Sequence, residues 1–88
     1  MDKKLVGDWG GDAGGSLVEI FFYSDGTFET NILLGGGDEN FGVWKTKGDE
    51  LLLTFEAGML GFRYRINANS LVLTNVKTGG SMELSKYS

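Results

Sequence analysis

The chain has 88 residues, twelve acidic against eight basic side chains for a net charge of −4, and neither histidine nor cysteine. That length makes one domain, 1–88, small enough to need a core dense in large side chains. The composition excludes Ser–His and Cys–His nucleophile pairs, imidazole and thiolate metal sites, and disulfides. An acidic domain without a basic stripe also lacks the electrostatic footprint for nucleic acid.

Taken in order, Leu5 to Trp9 reads as a first alternating strand, and Gly10–Gly15 as a loop on composition. Ser16–Ser24 is a second strand, rich in β-branched and aromatic residues. Ser24-Asp25-Gly26-Thr27 carries the Asp-Gly signature of a tight hairpin turn. Phe28–Leu34 is strand three, and Gly35–Asn40 a second glycine-rich loop. Strands four and five are Phe41–Thr46 and Leu51–Glu56, with Ala57–Leu60 as the next connection. Gly61–Ile66 and Leu71–Thr74 form strands six and seven, Asn75–Gly80 a loop, and Ser81–Lys86 strand eight. No segment carries a 3.6-residue apolar period, and proline is absent, as uninterrupted ladders require.

The middle of the chain repeats itself. Trp44 to Thr54 and Tyr64 to Thr74 are each an aromatic-led run, a polar turn and a second run ending in Leu-x-Leu-Thr. If every turn closes symmetrically, Trp44 faces Leu53, Leu53 faces Tyr64, and Tyr64 faces Leu73. Thr46, Leu51, Ile66 and Leu71 share their parity, and these bulky residues point inward. Lys45, Leu52, Arg65 and Val72 then lie outside, where long basic stems cover apolar neighbours. Eight antiparallel strands in sequence leave two unpaired edges unless the last closes on the first. The fold class is therefore all-β, an eight-stranded up-and-down barrel, with a sandwich of two four-stranded meanders as the alternative. Alternate loops fall at opposite ends, so most of the glycines gather at one looser mouth.

Gly7-Asp8-Trp9 on the first strand resembles the Gly-x-Trp signature of the calycins. With the glycine loop, Ser24-Asp25-Gly26-Thr27-Phe28 and the paired Leu-x-Leu-Thr hairpins, the chain looks like the small lipocalin-like domains of bacterial proteins. The resemblance implies an eight-stranded barrel in a group whose function is usually uncharacterised; the leading expectation is a non-catalytic binding module for a small apolar ligand or another protein. The resemblance does not bring the Arg-x-Tyr carboxylate clamp of fatty-acid-binding barrels. In Arg63-Tyr64-Arg65 the arginines take the opposite parity to the tyrosine.

Candidate sites follow from parity. Trp9, Phe22, Phe28, Trp44, Phe55, Phe62 and Tyr64 point inward, either to fill the barrel or to line a pocket for a small hydrophobic molecule. Val43 and Leu52 lie adjacent on the outer face and mark a surface for another protein or a homodimer. Met59-Leu60, apolar at an expected loop tip, reads as a plug over the mouth or a partner-binding tip. Arg63 and Arg65 read as a solvated face with Glu56 as neighbour. Asp8, Asp12, Asp38 and Glu39 lack the spacing of a calcium loop, and Gly35-Gly36-Gly37 lacks the lysine and helix of a phosphate loop. Glu19, Glu29, Glu56 and Glu83 take the outward parity, so no carboxylate pair is set up for catalysis. No cofactor and no catalytic residue are implied. No apolar run approaches the ~20 residues of a membrane helix, and no signal-type core follows Met1-Asp2-Lys3-Lys4. The expectation is a cytoplasmic protein or an excised secreted domain, without membrane insertion.

Overall fold

The computed structural model describes residues 2–31, 41–56 and 58–87. Eight antiparallel strands run in chain order around a closed barrel: β1 (Gly7–Ala13), β2 (Ser16–Phe22), β3 (Thr27–Thr30), β4 (Phe41–Lys47), β5 (Glu50–Phe55), β6 (Gly58–Asn67), β7 (Ser70–Asn75) and β8 (Ser81–Lys86). β8 returns to β1, with Trp9 opposite Lys86 and Gly10 opposite Ser85, so the chain forms a barrel and not a sandwich.

Strand one starts later and runs further than its sequence suggests. Leu5 and Val6 precede it. Leu5 ends a 3-10 turn, Lys3–Leu5, capped by Asp2, whose Oδ1 accepts from the Lys4 amide at 3.0 Å. Most of the Gly10–Gly15 stretch is strand, because Gly14 and Gly15 (φ 63° and 87°) close a two-residue hairpin between Ala13 and Ser16. Two adjacent residues at positive φ are what such a turn demands, and glycine supplies both without strain. The reading of Gly10–Ala13 as loop took glycine as a breaker where it serves a close-packed strand. Expected residues 32–34 of strand three and the loop at 35–40 lie outside the described residues.

The repeat sets the register within each hairpin but not between the hairpins. Trp44 faces Leu53 and Tyr64 faces Leu73, as the pattern requires. Leu53, however, faces Leu60, and Leu51 faces Phe62, where Tyr64 and Ile66 were expected. Gly58, Met59 and Leu60, expected in a loop, are strand. Phe55 pairs with Gly58, and β6 extends to ten residues. Its first half pairs with β5 and its second with β7, the stagger that tilted strands need to close a barrel. The slip is four residues, an even number, so every side chain keeps its face.

The core therefore forms on the predicted wall. Trp9, Ile20, Phe22, Phe28, Leu53, Leu71, Leu73 and Leu84 are wholly buried, with Trp44, Phe55 and Phe62 at 3% exposure. Phe22 meets Trp44 edge-on at 5.2 Å, and Phe28 meets Phe55 edge-on at 5.1 Å, the geometry favoured by aromatic quadrupoles. Among the described residues, no helix is long and apolar enough to cross a membrane.

Candidate functional site

The interior is committed to packing wherever it is described. Both indole N–H groups are spent on backbone: Trp9 Nε1 donates to the Leu5 carbonyl at 2.8 Å, and Trp44 Nε1 to that of Tyr23 at 3.0 Å. A buried N–H without an acceptor would be costly, so these bonds lock each ring in place. Leu5, wholly buried, enters the barrel from the end where the hairpin turns are short. Tyr64, half-buried there, donates its hydroxyl to Asp2 Oδ2 at 2.8 Å and also reaches the Gly48 carbonyl at 3.3 Å. Burial, and then the Asp2 carboxylate, push the Tyr64 phenol up to about 12. The N-terminal turn thus stops this end of the barrel, with Lys86 Nζ 5.6 Å from the centre of the Trp9 ring. Of the seven inward candidates, Trp9, Phe22, Phe28, Trp44, Phe55 and Phe62 share one buried cluster, and Tyr64 packs at its margin.

The outer face of β4–β6 gathers a different set. Val43, Thr54 and Met59 form one row across three strands, with Val43 54% and Met59 60% exposed. Lys45, Leu52 and Gly61 form the next row. Val76 extends it, its amide donating to the Gly61 carbonyl at 3.2 Å and its side chain 54% exposed. Leu52 is half-buried. Met59 and Leu60 do not form a loop tip or a plug. Both are strand residues of β6, Met59 facing out and Leu60 packing against the core. Val76 escaped the sequence reading because its neighbours Asn75, Lys77, Thr78 and Gly79 read as turn. Its apolar side chain in a polar loop was the available signal.

No protein-family model, curated protein or solved structure matches this chain. Its chemistry rests on its own geometry.

Two surface grooves are lined by polar and aromatic side chains. One, of about 260 Å³, lies along β6–β7 between Asp49, Arg63, Tyr64, Arg65 and Val72. Arg63 approaches Asp49 at 3.9 Å and pairs in register with Glu50, so Glu56 is not its partner. Such an exposed pair contributes ~0–1 kcal/mol. The other groove, of about 320 Å³, lies outside β1–β3 between Asp8, Glu19, Phe21, Tyr23 and Glu29. There the Asp8 charge, above all, pushes Glu19 up from the usual carboxyl range, and a hydrogen bond to Glu29 pushes Tyr23 up. In the adjoining turn Asp25 is held low by bonds from the Thr27 hydroxyl and amide. Among the described residues, no group of three or more acidic side chains is placed to hold a metal ion.

Charge is unevenly spread between the two walls. Residues 2–31 hold six acidic and two basic side chains, and residues 41–80 hold five basic and three acidic ones. The apolar row thus lies on the basic side of the molecule.

Proposed function

We propose that this barrel is a non-catalytic, lipocalin-like binding module that engages a protein partner through the outer face of β4–β6. The observation that carries the proposal is the contrast between the two faces of one sheet. The core side chains Trp44, Leu51, Leu53, Phe55 and Phe62 are at most 3% exposed, while Val43, Met59 and Val76 on the other face are each more than half exposed. A cluster of that kind is a feature of interaction surfaces, since scattered apolar residues would not align on adjacent strands. Lys45 and Lys77 border the cluster in register or in sequence, whereas Arg63 is paired with Asp49. Two such basic faces repel, which disfavours a symmetric homodimer. The fitting partner is a different protein with an apolar patch edged by carboxylates. The calycin-like Gly7-Asp8-Trp9 strand and the eight-strand closure support the lipocalin-like part of the proposal. The other reading, a small apolar ligand inside the barrel, draws its support from the aromatic inward wall around Trp44 and Phe28.

The test is site-specific photo-crosslinking in the native cells. A benzophenone side chain at position 43, 59 or 76 should give one common adduct whose yield falls with added salt. The same probe at Leu17, exposed on the opposite wall, should not give it. Equal labelling from position 17, or an adduct with the mass of two copies of this chain, would refute the assignment.

A further inference from the structure

Every glycine in the described strands but one has a reason inside the chain. Gly7 and Gly58 hold positive φ, 135° and 156°, where a side chain is strained. A Cβ on Gly10 would strike the Tyr87 ring, one on Gly11 the Glu83 carbonyl oxygen, and one on Gly42 that of Thr54. Gly61 has neither reason. Its φ lies outside the left-handed region. A Cβ there would meet Val76 Cγ2 at 3.3 Å and, among the described residues beyond its chain neighbours, nothing else within 4 Å. Val76 is 54% exposed, so its side chain can shift. Glycine inside a strand is ~0.5–1 kcal/mol less stable than alanine. No contact within the chain offsets that loss at position 61.

Gly61 lies in the middle of the apolar outer face. Leu52 is its register partner on β5, and Val76 stands on its other flank. Met59 and Arg63 lie two residues away along β6, on the same side of the sheet. The missing side chain leaves a notch between Leu52, Met59 and Val76. Strand glycines of this kind mark places where a group from outside approaches the sheet closely. Lys45, opposite Leu52, stands at the far end of the same row, and Lys77 follows Val76 in the chain. The notch is therefore apolar in its walls and basic at its approaches.

We infer that the notch over Gly61 receives one large apolar side chain from an extended, acidic segment of the protein partner, with a carboxylate of that segment reaching Lys45. This rests on the reading of β4–β6 as a partner face and assigns that face its anchor point. The sheet sets the spacing. Lys45 is two strands from Gly61, roughly 10 Å at ~4.8 Å per strand. An extended chain advances ~3.3 Å per residue, so the acidic residue falls about three positions from the anchor. Interfaces concentrate affinity in this way, on a single side chain seated in a pocket behind a charged rim. The lysines turn away a basic segment of the same shape.

The experiment keeps the benzophenone at position 43, one row from the notch, in the full chain in its native cells, and compares adduct yield across variants. Gly61→Ala should lower the yield several-fold. Gly61→Val should lower it at least about tenfold, the scale of one large apolar side chain left unburied. Both variants should keep the urea midpoint of the parent, which separates a filled notch from a damaged fold. Lys45→Glu should lower the yield too. Lys47→Glu makes the same charge change at the next outward position of β4 and should lower it less. Fragment masses of the adduct from position 76 should place the joined partner residue near a Leu, Ile, Met or Phe with Asp or Glu about three residues away. Undiminished yield in both Gly61 variants overturns the notch and leaves the partner face standing, whereas no adduct from position 43 in the parent overturns both. The notch also falls if Gly61→Ala unfolds as readily as Gly42→Ala, since the glycine then serves folding. Equal losses from Lys45→Glu and Lys47→Glu, a basic partner segment, or an adduct to a lipid or small molecule would overturn the inference as well.

Discussion

Gly42 faces Phe28 across the β3–β4 pair, on the inward side of β4. A Cβ there would collide with the Thr54 carbonyl oxygen, lie 2.9 Å from the Thr54 carbonyl carbon, and press the Phe28 ring at 3.1 Å. Two of those obstacles are backbone, which cannot rotate aside. Gly42→Ala must therefore push β4 from β5 or displace the Phe28–Phe55 pair. Overpacking of this kind costs ~1–3 kcal/mol, with rigid obstacles toward the upper end. Against it stands a gain of ~0.4–1 kcal/mol, because alanine narrows the unfolded ensemble. The steric cost wins, and a net loss of about 2 kcal/mol lowers the melting temperature of a domain this size by roughly 8–16 °C. Gly61→Ala supplies the contrast. Its Cβ would meet only Val76 Cγ2, at 3.3 Å, on the outer face where a side chain can shift. That variant should keep wild-type stability to within about 0.5 kcal/mol or exceed it. Urea unfolding followed by tryptophan fluorescence measures both, with an unchanged m-value as the check that the unfolded states compare. A Gly42→Ala protein as stable as the parent, or equal losses at both glycines, would refute the packing argument.

Two further predictions concern titration. Glu19 has its proton affinity raised in the fold, mainly by Asp8, so the folded state binds that proton more readily than the unfolded chain does. Stability should therefore rise as pH falls from neutral toward the ordinary value of 4.5. Glu19→Gln should remove that rise and stabilise the protein at pH 7; denaturant midpoints across pH 4.5–7.5 that keep the slope in the variant would contradict it. Tyr64 is the alkaline counterpart. Its folded phenol ionises near 12 and its unfolded one near 10.0, so stability is lost as pH climbs through that window. Ultraviolet titration should show late tyrosinate steps from both Tyr23 and Tyr64, and Tyr64→Phe should remove the latest of them; that step surviving in the variant would assign it elsewhere.

The legible part of this fold is whatever depends on a two-residue period. Trp44, Leu53, Tyr64 and Leu73 announce the inner wall because alternation is a local property, and a slip of four residues between β5 and β6 cannot disturb it. Stagger is not local. It follows from closing eight tilted strands, and nothing near Glu56 or Gly58 declares it, so the 57–60 stretch looks like a loop. The N-terminal turn was hidden for a related reason. Leu5 and Val6 fit an alternating strand, and only the distant bond from Tyr64 to Asp2 reveals that they enter the barrel end instead. The outer candidates were half legible. Val43 and Leu52 emerge from parity, whereas Met59 and Val76 join them only once the register between hairpins is known. The Phe21–Tyr23 groove needed the diagonal placement of Asp8 and Glu19, which depends on how far β1 extends through its glycines.

The seam between β1 and β8 sets an order of events during synthesis. Trp9 meets Ile20 early but waits for Lys86 on its other side, and Asp2 waits for Tyr64, so β1 lacks one neighbour until the barrel is nearly complete. Pairings that span nearly the full chain are slow to form. Until the final strand is released, the aromatic wall that later becomes the driest part of the molecule stays open to anything that meets it, and a chaperone would find its handhold there.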